Sequence, residues 1–147
     1  MLRIGGAGGL ALLGLGARPA PALAQAVRAG AQAELLKRIA NGRTPRPERV
    51  RIGIAEVADN GASVPVTVTV DSPMTQADHV TAIHLVTDDN PAPEVMTVRM
   101  TPACGMAEIA TRIRLAKSMS VIAYAETNDG RLWSATRAVI VTIGGCG

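Results

Sequence analysis

The stretch Val-Pro-Val-Thr-Val-Thr-Val, residues 64 to 70, is apolar at every second position, with Thr67 and Thr69 between the last three valines. A period of two is the mark of a strand with one buried face. Pro65 has no N–H to give to a ladder, so it belongs near the start of the strand or on an edge. Similar short runs recur along the chain. Residues 50–57 alternate Val50, Ile52 and Ile54 with polar or small positions, and a turn follows at 58–61. Residues 79–86, 95–100, 107–115, 120–126 and 132–143 predict five more strands. Turn-forming residues separate them: Asp-Ser-Pro at 71–73, an Asp- and Pro-rich break at 87–94, and Asn-Asp-Gly at 128–130, a strong hairpin signal.

Seven short strands with regular turns predict an all-β domain, an antiparallel β-sandwich whose two sheets bury their Val, Ile and Leu faces against each other. The order Cys104, Trp133, Cys146 is superficially that of an immunoglobulin domain. An inter-sheet disulfide, however, needs both cysteines inside facing strands, and Cys146 lies past the last strand. The expectation is therefore a sandwich that is immunoglobulin-like in architecture only.

A different pattern precedes the strands. Residues 25–42 are rich in helix formers, with Leu35, Leu36 and Ile39 as a narrow apolar stripe and Asn41-Gly42 as a stop. Residues 43–48 form an extended link stiffened by Pro45 and Pro47. Residues 1–24 have the form of an export signal. Arg3 precedes an apolar run at 4–15 that is too short to span a bilayer, and Ala22 to Ala24 satisfy the small-x-small cleavage pattern. The glycines of this segment and the breakers Pro19 and Pro21 speak against a membrane anchor or a buried helix. The mature chain is expected to begin near Gln25, outside the cytoplasm, where disulfides persist. The expected organisation is thus 1–24 signal, 25–49 helix and linker, 50–143 sandwich and 144–147 a flexible arm.

Composition adds limits. The chain has 147 residues, is 48% hydrophobic, and contains only Tyr124 and Trp133 as aromatics. One domain with an aliphatic core fits these numbers, and a base-stacking nucleic-acid surface does not. Residues 37–51 carry Lys37, Arg38, Arg43, Arg46, Arg49 and Arg51 against Glu48 alone. A solvated basic loop is the plain expectation, and contact with an acidic partner or a membrane surface the sharper one.

Candidate chemistry is sparse. No nucleophile-elbow, phosphate-loop or zinc-ligand spacing occurs. His79 and His84 are five apart in one predicted strand, so they face opposite ways and are expected to be structural, with no shared metal. Met96 and Met100 share a strand face and are expected in the core. Cys104, in a turn, is expected to be a small, partly buried hydrophobe. There remains Cys146, with Gly144 and Gly145 before it and Gly147 after it. Glycine offers no side chain to shield the sulfur and loosens the backbone. The four residues past Ile143 extend about 13 Å at most, a thin tether that could enter a narrow pocket. The thiolate is the reactive form, and an exposed thiol is partly ionised at neutral pH. Such a thiol suits a carrier, which holds a group while enzymes act on it. Spacing alone leaves three readings open: a Cys104–Cys146 disulfide closing a structural or adaptor sandwich, a working thiol, or an inert end. The even cysteine count puts the disulfide ahead.

The segments 58–74, 101–116, 128–136 and the terminal Val-Thr-Ile-Gly-Gly-Cys-Gly together resemble the SoxY family of periplasmic sulfur carriers, over most of residues 50–147. The resemblance reverses the order of the three readings. It implies that Cys146 is the site of covalent sulfur attachment, that Gly144, Gly145 and Gly147 form its arm, and that the protein is not itself an enzyme and binds no cofactor or metal. It implies a heterodimer with a SoxZ-like subunit. Transient partners would be a c-type cytochrome complex that joins thiosulfate to the thiol, a SoxB-type hydrolase that removes sulfate, and a sulfane dehydrogenase. Three departures stand out. The family usually carries two glycines after the cysteine, where Gly147 stands alone. Its signals commonly carry a twin arginine, where only Arg3 precedes the apolar run. A small residue such as serine is expected where this chain has Cys104.

Overall fold

A computed structural model describes residues 20–142. Its first element is α1, Ala20–Ala40. The helix starts earlier than its sequence predicts, because Pro21 falls in the first turn, where a missing N–H costs nothing. It stops where expected. Asn41 and Gly42 both take positive φ, 45° and 80°, and the Arg43 guanidinium donates to the carbonyls of Ile39 and Ala40 at 2.8 and 2.9 Å. These bonds satisfy acceptors that a helix end leaves open. Leu35 and Ile39 are buried, whereas Leu36 is 38% exposed and so lies outside the expected stripe.

Eight strands follow, in two sheets. The first holds β1 (Val50–Ile54), β3 (Val64–Val70) and β6 (Ala107–Ile113) in the order β1-β3-β6, both pairings antiparallel. The second holds β2 (Val57–Ala58), β8 (Leu132–Val141), β7 (Met119–Thr127), β4 (Val80–Thr87) and β5 (Glu94–Arg99), in the order β2-β8-β7-β4-β5. The run expected as one strand at 50–57 is broken. β1 ends at Ile54, and Val57–Ala58 crosses to the other sheet, where it pairs with β8 in parallel. All other pairings between the named strands of the immunoglobulin-like sandwich are antiparallel, as expected.

The alternation of β3 is realised in full: Val64, Val66, Val68 and Val70 are all buried. β1 reaches only as far as Val66, so Pro65 has no β1 neighbour to which it would owe a donor. One core unites the inner faces of both sheets, from Ile52, Val66 and Val68 to Ile83, Leu85, Val121 and Val139. Each such side chain contributes about 1.5–3 kcal/mol by leaving water. Met100 is in this core and Met96 packs on its margin, as expected. A second, smaller core lies on the outer face of the five-stranded sheet, where Leu35 and Ile39 of α1 cover Val86, Tyr124 and Leu132. β4 is therefore buried on both faces along almost its whole length.

The basic stretch does not form a solvated loop. Lys37 pairs with Glu34, Arg38 with Glu94, Arg43 with Glu126 and Arg49 with Asp78. The linker bridges in parallel to β8 at Arg46 and Trp133, with Arg46 N–H donating to the Leu132 carbonyl and Ser134 N–H to that of Arg46. Arg49 also lies over the Trp133 ring, 5.4 Å from its centroid, a cation–π contact. Three of the six cations, Arg38, Arg43 and Arg49, thus tie the helix and linker to residues of the sandwich.

Candidate functional site

The described chain ends on the strand that leads into the cysteine arm. Three backbone N–H groups are tied down at that end. Ile140 N–H donates to the Glu56 carbonyl at 2.8 Å, and Thr142 N–H donates to that of Ala58 at 2.9 Å. Val141 N–H donates to the Ser118 hydroxyl at 2.9 Å. The crossing segment β2 thus grips the last residues of β8.

Two loops pack beneath. Gly61 lies so close to Leu115 that an added Cβ would sit 2.2 Å from the Leu115 carbonyl oxygen, and Leu115 N–H donates to the Gly61 carbonyl at 2.7 Å. Only glycine fits such a close approach of two backbones. The 114–118 loop is held from the other side by residues of the Asp- and Pro-rich break. Asn90 donates to the Arg114 carbonyl and accepts from Ala116 N–H. Asp88 accepts from Ser120 N–H at 2.7 Å, and Asp89 pairs with Lys117 and with Arg28 of α1. The Lys117 hydrogen bond, above all, holds the Asp89 carboxyl below its usual range. Between the loops and the end of β8 is an open cavity of about 450 Å³, lined by Asp59, Asn60, Arg114 and Thr142 among others. Arg114 forms no ion pair among the described residues, and Asp59 on the same lining sets one carboxylate against its one cation.

Cys146 and Gly144, Gly145 and Gly147 lie outside the described residues. Cys104 lies within them and departs from expectation: it is exposed, at the end of a single 3₁₀ turn, Pro102–Cys104, ahead of β6. Its position bears on the disulfide. Val64 pairs with Ile113 and Val70 with Ala107, so Gly61, Leu115 and Thr142 sit at one end of β6 and Cys104 at the other. Seven residues of strand separate those ends by about 20 Å. A disulfide needs its Cα atoms within about 7 Å, and four residues from Thr142 extend about 14 Å at most. A bridge from Cys104 to Cys146 would therefore need the last residues stretched almost fully along the length of β6.

The histidines are structural, as expected. His84 is buried under the C-terminal end of α1, Nε2 2.7 Å from Glu126 Oε1 and Nδ1 2.8 Å from Thr97 Oγ1. Arg43 reaches the other oxygen of Glu126 at 2.8 Å. Partial burial pushes the Glu126 carboxyl up, but the hydrogen bonds and charges of His84 and Arg43 outweigh it, and the net position is below the ordinary one. His79, just ahead of β4, contacts the Thr75 carbonyl through Nδ1 at 3.0 Å. Among the described residues no three His, Cys, Asp or Glu side chains group as metal ligands, and no helix is long and apolar enough to cross a membrane. The grip of β2 and the Asp88–Asn90 scaffold were not foreseen from sequence. The run of Asp-Asp-Asn, residues prone to bond nearby backbone, was the available signal.

The fold defines a class: two-sheet, immunoglobulin-like domains with a covering helix. The model of the sulfur oxidation protein SoxY family matches residues 36–146, and the chain belongs to that family. Among solved structures it is similar to the sulfur carrier protein SoxY of Chlorobium limicola f thiosulfatophilum, with 27% identity, 81% of this chain and 98% of that one covered, and a TM-score of 0.66. The superoxide reductase (neelaredoxin) of Ignicoccus hospitalis shares the fold at 20% identity, covering 76% of this chain and 89% of its own, with a TM-score of 0.57. A putative superoxide reductase of Thermotoga maritima does so at 23% identity, covering 64% and 87%, with a TM-score of 0.53. No curated protein matches.

Proposed function

We propose that the protein is a sulfur carrier whose cargo is held on the thiol of Cys146. The observation that carries the reading is the family match over residues 36–146, a span that takes in Gly144, Gly145 and Cys146. The clamp on Thr142 supports it, since a tether delivers a group well only from a fixed origin. In the loading step a bond forms between the Cys146 sulfur and the sulfane sulfur of thiosulfate. The thiol proton is released, and two electrons pass to the c-type cytochrome complex, which is the oxidant. A SoxB-type hydrolase then adds water across the terminal sulfur–sulfur bond, releasing sulfate and leaving one extra sulfur on the cysteine for a sulfane dehydrogenase. The chain catalyses none of these steps. It works in the periplasm after loss of residues 1–24, paired with a SoxZ-like subunit.

The test is to incubate the mature protein with thiosulfate and the cytochrome complex and weigh it. Wild type should gain the mass of one thiosulfate, and Cys146→Ser none. No gain on wild type, or an equal gain on the variant, overturns the reading. Two titratable thiols in the freshly purified, denatured monomer would remove the disulfide-closed adaptor.

A further inference from the structure

Val57 and Ile140 are register partners in the parallel pair of β2 and β8, so their side chains project side by side. Val139 is buried in the core, so Ile140 faces outward. α1 covers Leu132 at the start of β8 but not Ile140: Val57 is 52% and Ile140 56% exposed. The other exposed large hydrophobics are elsewhere, Val27 and Leu36 on α1 and Met106 at the opposite end of β6. These two branched apolar side chains lie side by side in water at one sheet edge, where a partner's surface would bury both.

The tether identifies what meets them. Cys146 lies four residues past Thr142, and a fully stretched backbone carries its Cα no farther than about 14 Å from that residue. An enzyme that acts on the sulfur from a recessed centre must bring the mouth of its channel down around Thr142. Thr142 follows Ile140 by two residues and is bonded to Ala58, the neighbour of Val57. The apolar pair is therefore inside the footprint of any such enzyme.

We infer that Val57 and Ile140 form the seat on which the thiol-modifying enzymes rest while Cys146 is in their channel, and that the occupant is an apolar channel rim. The inference rests on the carrier reading. Because every enzyme that acts on this cysteine faces the same short tether, they share the seat and exclude one another from it.

The test uses the mature heterodimer, thiosulfate and the cytochrome complex, with Val57→Lys and Ile140→Lys, and with Val57→Thr and Ile140→Thr as milder, strand-compatible changes. The lysine variants should lower kcat/KM for loading by about tenfold, chiefly through KM, and the threonine variants less, in the same direction. Alkylation of Cys146 by iodoacetamide, which needs no docking, should keep its wild-type rate, and the melting temperature should hold. Wild-type kcat/KM in all four variants overturns the inference and leaves the carrier reading intact. Loss of the heterodimer on light scattering overturns it in favour of a subunit interface, and dissociation of a wild-type self-dimer in favour of a second copy. A wild type that gains no mass removes the carrier reading, and this inference with it.

Discussion

The two ends of β8 are built on opposite plans. At Leu132 and Trp133 the strand is buried on both faces, under α1 on one side and in the core on the other, and the Arg46–Arg49 linker closes over it. At Ile140 to Thr142 the outer face is bare, and the strand is held by backbone bonds to a two-residue partner. The first end is stabilised by burial, which is large and indifferent to direction. The second is stabilised by directed hydrogen bonds, each worth about 1 kcal/mol net. Burial holds the domain together, and the hydrogen bonds set where the tether begins. A carrier needs both kinds of stabilisation, and they are placed at opposite ends of one strand.

This contrast can be broken at several levels. The largest effect is on chemistry alone: Cys146→Ser should abolish the mass gain on thiosulfate while the melting temperature stays at the wild-type value. Next is the fold alone. Leu85→Ala, in the shared core, should cost about 2–5 kcal/mol in chemical denaturation, and at temperatures where it is folded it should still load. Gly61→Ala should fall between, losing about 1–3 kcal/mol as two backbones are forced apart. Unlike Leu85→Ala it should also slow loading by the cytochrome complex, because it displaces the base on which the tether stands.

The smallest effect is at the helix-covered end. Glu126 is depressed in the folded state, so its contribution is present at pH above the unfolded value and disappears as pH falls through the folded one. Stability should therefore decline on the acid side of the carboxylate range. Glu126→Gln should lower stability at neutral pH by about 1 kcal/mol, since the pair is partly solvated, and should flatten the acid decline in a pH series of denaturation curves.

How much of this was legible in sequence follows the same division. Alternation at 64–70, Gly-bearing turns and the Asn41-Gly42 stop are local signals, and the corresponding elements lie where they predict. The clamp was not legible. Val57 and Ala58 look like the tail of β1, and nothing local shows that they leave one sheet for the other. The basic linker looked solvated because its acidic partners, Glu94, Glu126 and Asp78, come from distant strands. Cys104 looked half-buried because turn sequences do not reveal which side of a 3₁₀ turn meets solvent. Cys146, outside the described residues, drew attention as chemistry through its glycine neighbours, and its proposed carrier role comes from resemblance.

The clamp at Thr142 has one further consequence, for kinetics. On the proposed carrier reading, a Cys146 thiol held within about 14 Å of Thr142 would be, for a docked enzyme, a reagent at an effective concentration on the order of millimolar or above. That concentration is set by geometry and not by how much of the protein the cell makes. Once an enzyme is seated, turnover should depend on release from the carrier and hardly at all on finding the sulfur.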